Sequence, residues 1–218
     1  MSQNNFSASE LLTFANLQIA AEALYGLLPA EAGQPDTLMS NEQIADINKL
    51  LTAENPDEGF LTAGNNHTSK FSPIQAEQFA QNWKVVQHIA NTSSGFSGTL
   101  FENTETHELV ISFRSTEFVE DQVRDSIATN TLEVAEKGWA FGQISDMEEW
   151  FASLKREGIV GKDQKISVTG YSLGGHLATA FHILHSEQIE KTFTFNGAGV
   201  GSIGGDKVTT DEELYSYC

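Results

Sequence analysis

An α/β fold is predicted for this chain: a mostly parallel sheet flanked by helices, behind a helical N-terminal region. Three observations predict it. Apolar residues recur at three- and four-residue steps through the first third of the sequence, the spacing of amphipathic helices. From residue 98 onward, short runs rich in β-formers replace that period. Residues 165–195 then read strand, helix, strand, which is one right-handed βαβ unit of a parallel sheet. At 218 residues the chain is long enough for one sizeable core. A single domain is expected, with residues 1–92 as its helical part and 97–205 as its sheet-bearing core.

The first helix opens at Ser7, with Glu10 three residues later in a capping-box pattern. Leu11, Leu12, Phe14, Ala15, Ile19, Ala23 and Leu24 continue it to Gly26. A second helix is expected after Ser40, with Gln43 completing the box and Ile44, Ile47, Leu50 and Leu51 forming a stripe. Pro29–Pro35 and Asn55–Gly59 read as loops. A third helix starts at the N-cap Ser72, with Pro73 in the first turn and Gln75 in the box. Phe79, Trp83, Val86 and Ile89 or Ala90 are expected on its buried face. Gly98–Glu102 and Glu108–Phe113 then read as neighbouring strands joined by a turn at Asn103–Thr106. An amphipathic helix follows over 142–157, carrying Ile144, Met147, Trp150, Phe151 and Leu154 and ending at Gly158. Lys165–Thr169 is a strand, Leu173 to about Gln188 a helix, and Lys191–Phe195 a strand.

Composition narrows the partners. Lys and Arg number 12 against 30 Asp and Glu, a formal charge of −18. That balance repels phosphate backbones, so nucleic acid is not expected as a partner. The lone cysteine, Cys218, rules out an internal disulfide and a cysteine-based metal site. No cofactor and no metal are expected. The Gly-rich piece 197–205 occurs once and is no calcium-binding repeat. The N-terminus lacks a basic region followed by an apolar run, so no ordinary signal peptide is read there. No apolar stretch approaches the length of a bilayer span. A soluble protein is expected, either cytoplasmic or exported through a C-terminal signal absent here. Contact with a membrane or lipid-droplet surface would be transient if it occurs at all.

Gly170-Tyr-Ser-Leu-Gly174 carries the chemistry. A serine hydroxyl is a weak nucleophile and must project toward a base and a carbonyl carbon. A sharp strand-to-helix turn presents Ser172 in that way, and glycines two residues to either side keep neighbouring backbone clear. The helix that follows offers free N–H groups and its positive end to a developing oxyanion. The N–H of Leu173 is one expected donor. A phosphate-binding turn is the weaker reading, since no lysine follows the glycines.

Val168-Thr-Gly-Tyr-Ser-Leu-Gly-Gly-His-Leu-Ala178 resembles the nucleophile elbow of class 3 (fungal-type) lipases of the α/β-hydrolase fold, especially their bacterial branch. Leu109–Glu117 resembles the strand that supplies their second oxyanion donor, and Phe193–Gly199 their next strand and its exit. The three motifs fall in the family's order over residues 97–205. The resemblance makes Thr116 the second oxyanion residue. Ser115 departs from it, standing where the family has glycine. Arg114 could be an anion hook for substrate, but a structural pair with a nearby carboxylate such as Asp125 or Asp146 is the preferred expectation.

A serine hydrolase of this kind needs an acid and then a histidine after the serine. The six histidines are 67, 88, 107, 176, 182 and 185, and none lies further along. His182 and His185 sit ten and thirteen residues beyond Ser172, roughly 15–20 Å along a helix. His176 is expected to be a packed, hydrogen-bonded residue, and His67, His88 and His107 to have surface or capping roles. Asp206 and Asp211 are the candidate acids, but the resemblance puts the acid after a further strand. A chain truncated before its last strands and triad loops is therefore expected. A helix in 117–140 could be a lid or an ordinary surface helix. Two readings follow. One is a serine ester hydrolase, a lipase or phospholipase A1 acting through an acyl-enzyme on a lipid or other ester. The other is a non-catalytic, truncated hydrolase domain serving as a binding module.

Overall fold

The computed structural model describes residues 6–25, 34–52, 59–64, 69–115 and 138–200, with the strand residues 202–203 and 206–207. Its elements in chain order are α1 (Ala8–Tyr25), α2 (Asn41–Leu50), α3 (Phe60–Ala63), α4 (Pro73–Asn82), β1 (Trp83–Ile89), β2 (Gly98–Asn103), β3 (Leu109–Phe113), α5 (Phe141–Arg156), β4 (Ile166–Tyr171), α6 (Leu173–Leu184) and β5 (Ile189–Phe195). Ser202–Ile203 and Asp206–Lys207 pair as a separate two-stranded ribbon, β6 and β7.

The class is α/β, a five-stranded mixed sheet in the order β1-β2-β3-β4-β5 with helices on both faces. β1, β2 and β3 are antiparallel neighbours, while β3, β4 and β5 run parallel. Side chains alternate between two cores, as the period of a strand requires. Leu100, Ile111, Phe113, Ile166 and Val168 pack with α5 and α6. Phe101, Val110 and Phe193 pack with α1–α4. Phe14 of α1 stacks on Phe193 at 4.1 Å.

The caps read from the sequence are present. The Glu10 N–H donates to Ser7 Oγ at 3.1 Å, and complete capping boxes open α2 at Ser40 and α4 at Ser72. The hairpin turn is held by Asn103, whose side-chain oxygen accepts from the Glu105 and Thr106 amides at 3.0 and 2.9 Å. The stripe expected on α5 is buried throughout. On α1 the stripe is rotated from the expected one: Leu11 and Leu12 are exposed, and Phe14, Leu17, Ala20, Ala21 and Ala23 face the core.

One element differs in kind. The helix opened at Ser72 stops at Asn82, and Trp83–Ile89 is the edge strand β1 rather than its continuation. Phe79, Trp83, Val86 and Ala90 happen to fit a helical period. However, Trp, Val, Val and Ile are also β-formers, and pairing with β2 from Trp83↔Asn103 to Ile89↔Gly98 decides between the two. A bulge at Val85–Gln87 turns the strand. Val85 thereby faces α1–α4, while Ile89 faces α5 and α6.

The cross-strand register aligns His88, Thr99, Ser112 and Thr169 in one row across four strands. The row lies on the α1 side of the sheet, and all four residues are buried. His88 is thus an interior residue, not a surface or capping one. Its Nδ1 is 2.8 Å from Thr99 Oγ1. Burial, and then the positive charge of Arg114, push its pKa from 6.5 down to about 3. A histidine whose folded pKa is depressed contributes stability that is complete above pH 6.5 and is lost as pH falls toward 3. The full effect is on the order of 5 kcal/mol. Denaturant midpoints measured between pH 7 and pH 4 should therefore fall more steeply for the parent protein than for His88→Leu; parallel slopes would contradict a neutral buried imidazole.

Candidate active site

β4 enters α6 through a single residue, Ser172, whose φ of 51° and ψ of −117° lie in a strained region for a side chain with a Cβ. Such backbone costs about 1–3 kcal/mol and persists only where its surroundings over-determine it. They do so here. The Ser172 N–H donates to the Phe195 carbonyl at 3.1 Å, and the Ser172 carbonyl accepts from Ala198 N–H at 2.9 Å and His176 N–H at 3.2 Å. The exit of β5 thus clamps the turn from one side. It is itself bent at Asn196, φ 46°. Ser172 is half-exposed at the C-terminal edge of the parallel strands.

The flanking glycines are required by backbone contact. A Cβ on Gly170 would lie 2.2 Å from the Gly174 carbonyl oxygen, and one on Gly175 would lie 2.8 Å from Gly197 Cα. A Cβ on Gly174 would lie 2.2 Å from the Phe113 carbonyl oxygen. The last contact places the end of β3 against the first turn of α6, as the register Phe113↔Gly170 requires. Arg114 and Ser115 therefore leave the sheet beside the elbow. Leu173 begins α6, so its N–H has no intrahelical acceptor. Thr116 and residues 117–137 of the possible lid region 117–140 lie outside the described residues, as do Asp125, Asp211 and His67.

Arg114 is buried, and its Nη2 donates to Asn91 Oδ1 at 3.5 Å. Asp146, one of its expected partners, instead accepts from Ser94 Oγ at 2.6 Å. A carboxylate that feels the Arg114 charge is Glu22 of α1, which the sequence pattern did not single out. Glu22 is 3% exposed and accepts the Ser115 N–H at 2.6 Å. Burial raises its pKa, opposed by the Ser115 amide and hydroxyl, the Arg114 charge and Gln18. The available signal was an acid in an apolar stretch, Ile19-Ala-Ala-Glu-Ala-Leu24, four residues after the also buried Gln18.

Each histidine among the described residues bonds a partner other than Ser172. His176 is fully buried; its Nε2 accepts from Ala140 N–H and its Nδ1 faces the Gly199 carbonyl, both at 3.3 Å. That requires the neutral tautomer with the proton on Nδ1, and burial lowers the ring's pKa. His176 thereby ties the segment before α5 to the exit of β5. His182 meets Thr192 Oγ1 at 2.8 Å, His185 meets Glu148 at 2.8 Å, and His107 meets Glu102 at 2.6 Å. Among the described residues there is no cluster of His, Cys, Asp and Glu suited to a metal. No helix among them is long and apolar enough to cross a membrane.

No protein-family model matches the sequence, and no curated protein does. Solved structures similar to the chain include the Lip2 lipase from Yarrowia lipolytica, at 18% identity and a TM-score of 0.42, covering 77% of this chain and 62% of that one. Another is the lipase of Rhizomucor miehei in complex with its propeptide, at 15% identity and 0.38, covering 84% and 65%. A third is a lipase from Rhizopus microsporus var. chinensis, at 14% and 0.38, covering 83% and 68%. The chain spans less than two thirds of the length of the Yarrowia and Rhizomucor proteins.

The backbone contacts at the elbow make a direct prediction. Gly174→Ala should cost more than about 3 kcal/mol, because the atom it meets is a main-chain carbonyl that cannot step aside. Gly158→Ala, at φ +71° with nothing within 4 Å, should cost only about 1–2 kcal/mol. Chemical denaturation of the two variants checks this, and equal costs would mean that β3 and α6 are not in backbone contact.

Proposed function

We propose that the protein is a serine ester hydrolase of the lipase or phospholipase A1 kind, with Ser172 as its nucleophile. The observation that carries this reading is the strained, clamped backbone of Ser172 at the head of α6. A conformation with that cost is retained where a side chain must be held out at a fixed angle. In the reaction, Ser172 Oγ bonds to the ester carbonyl carbon as its proton passes to a base. The carbon–oxygen bond to the alcohol then breaks, and the alcohol leaves with that proton. Water attacks the acyl-enzyme in a second step and releases the carboxylic acid. The Leu173 N–H, at the positive end of α6, and Thr116, at the exit of β3, are the proposed oxyanion donors. Family resemblance, and not the site's own residues, favours a lipid acyl ester.

The reading requires an acid, and a histidine other than the five described above. A second reading, a binding module without catalysis, is favoured by the engagement of five histidines elsewhere. A fluorophosphonate probe separates the two. Time-dependent labelling of the parent protein that falls to background in Ser172→Ala, a loss of at least about 10³-fold, requires an activated serine. No labelling of the parent protein, or equal labelling of both proteins, removes the hydrolase reading and leaves the module.

A further inference from the structure

We propose that Glu22 is a positioning residue for the oxyanion side of the site, acting through Ser115 on the backbone that leads into Thr116. The proposal rests on the hydrolase reading for its catalytic meaning. Its structural part stands on the β3 exit alone.

The β3–β4 ladder ends at Phe113↔Gly170, so from Arg114 onward the chain has left the sheet. Its next two amides are nevertheless both held. Arg114 N–H donates to the Ser97 carbonyl at 3.1 Å, and Ser115 N–H donates to Glu22 Oε1 at 2.6 Å. These two bonds hold the backbone of Arg114 and Ser115 in place. The second bond comes from a helix 93 residues earlier in the chain.

A carboxylate is an expensive group for that task. Burying one costs several kcal/mol unless hydrogen bonds or a nearby charge compensate. Gln18, one turn earlier on the same face of α1, is buried with it, and the guanidinium of Arg114 supplies the charge. A charge-assisted bond to an amide is short and roughly twice as strong as a neutral one. The other end of α1 is fixed too. Glu10 pairs with Lys191 of β5 at 2.8 Å, twelve residues and about 18 Å from Glu22. α1 is thus tied to β5 near its start and to the exit of β3 near its end.

The same pairing accounts for Ser115, where the lipase pattern has glycine. Glycine would give the loop freedom; here the residue is bound to Glu22 through its amide, and its hydroxyl acts on the same carboxylate. Glu22 and Ser115 together replace that freedom with a fixed attachment.

The test uses the full chain with Glu22→Ala and Glu22→Gln. The side-chain oxygen of glutamine still accepts from an amide, so Glu22→Gln is the conservative rescue. Two readouts are compared: hydrogen exchange of the backbone around 113–116, and the rate of fluorophosphonate labelling at Ser172. Glu22→Ala should speed exchange there at least tenfold and slow labelling about 100-fold, the scale of a 1 Å misplacement. Glu22→Gln should restore protection and keep labelling within about fivefold of the parent. Lys191→Met, which breaks the other brace of α1, should lower the melting temperature without changing exchange at 113–116. A folded Glu22→Ala protein with unchanged exchange and labelling overturns the proposal. If that variant does not fold, Glu22→Asp, one methylene short of the Ser115 amide, takes its place with the same two outcomes. If the parent protein is not labelled at all, the hydrolase reading fails on its own, and the exchange comparison alone decides whether Glu22 fixes the loop.

Discussion

The contact between the carbonyl of Phe113 and Gly174 governs the arrangement around Ser172. At this point the end of β3 and the first turn of α6 meet main chain to main chain, with no room for a side-chain carbon. The parallel pairing of β3 with β4 brings the two segments level, and the absence of a Cβ at 174 lets them close. Without that approach, the strained turn at Ser172 would lose its support from β3. The amides leaving β3 would also no longer lie beside the start of α6. The glycines at 170 and 175 extend the same close packing backward into the elbow and sideways to the exit of β5.

A second layer of control lies beneath this surface, on the α1 side of the sheet. There the interior is polar where a simple α/β packing would be apolar. His88, Thr99, Ser112 and Thr169 form a row, and Gln18, Glu22 and Arg114 are buried on the same side. Within the row, His88 and Thr99 bond each other at 2.8 Å, while Ser112 Oγ and Thr169 Oγ1 have no partner among the described residues, and burial without a bond is unfavourable. The polar region ties an N-terminal helix to the loop that leaves β3.

The histidines divide the chemistry of the molecule from its architecture. His176 sits one turn from Ser172, yet both its ring nitrogens are used to hold the segment before α5 to the exit of β5. Its pKa is lowered by burial, which suits a fixed neutral tautomer and not a proton shuttle. His176 is therefore part of the elbow's framework.

The sequence by itself determined the elements whose signals are local. Capping boxes at Ser7, Ser40 and Ser72, the Asn103 turn and the strand–glycine–serine–helix run each concern residues a few positions apart, where spacing and side-chain chemistry decide the outcome. Tertiary structure decided what those signals leave degenerate. Trp83–Ile89 satisfies a helical stripe and a strand equally well until β2 is beside it. Leu11 and Leu12 look like core until the sheet picks the face defined by Phe14 and Leu17. The charge of Arg114 acts on Glu22 of a distant helix, and the Glu22–Ser115 bond joins residues 93 apart. A local pattern fixes backbone conformation because its atoms are neighbours by covalent connection. Which distant carboxylate reaches a given amide depends on strand order and helix placement, and those exist only once the whole sheet has formed.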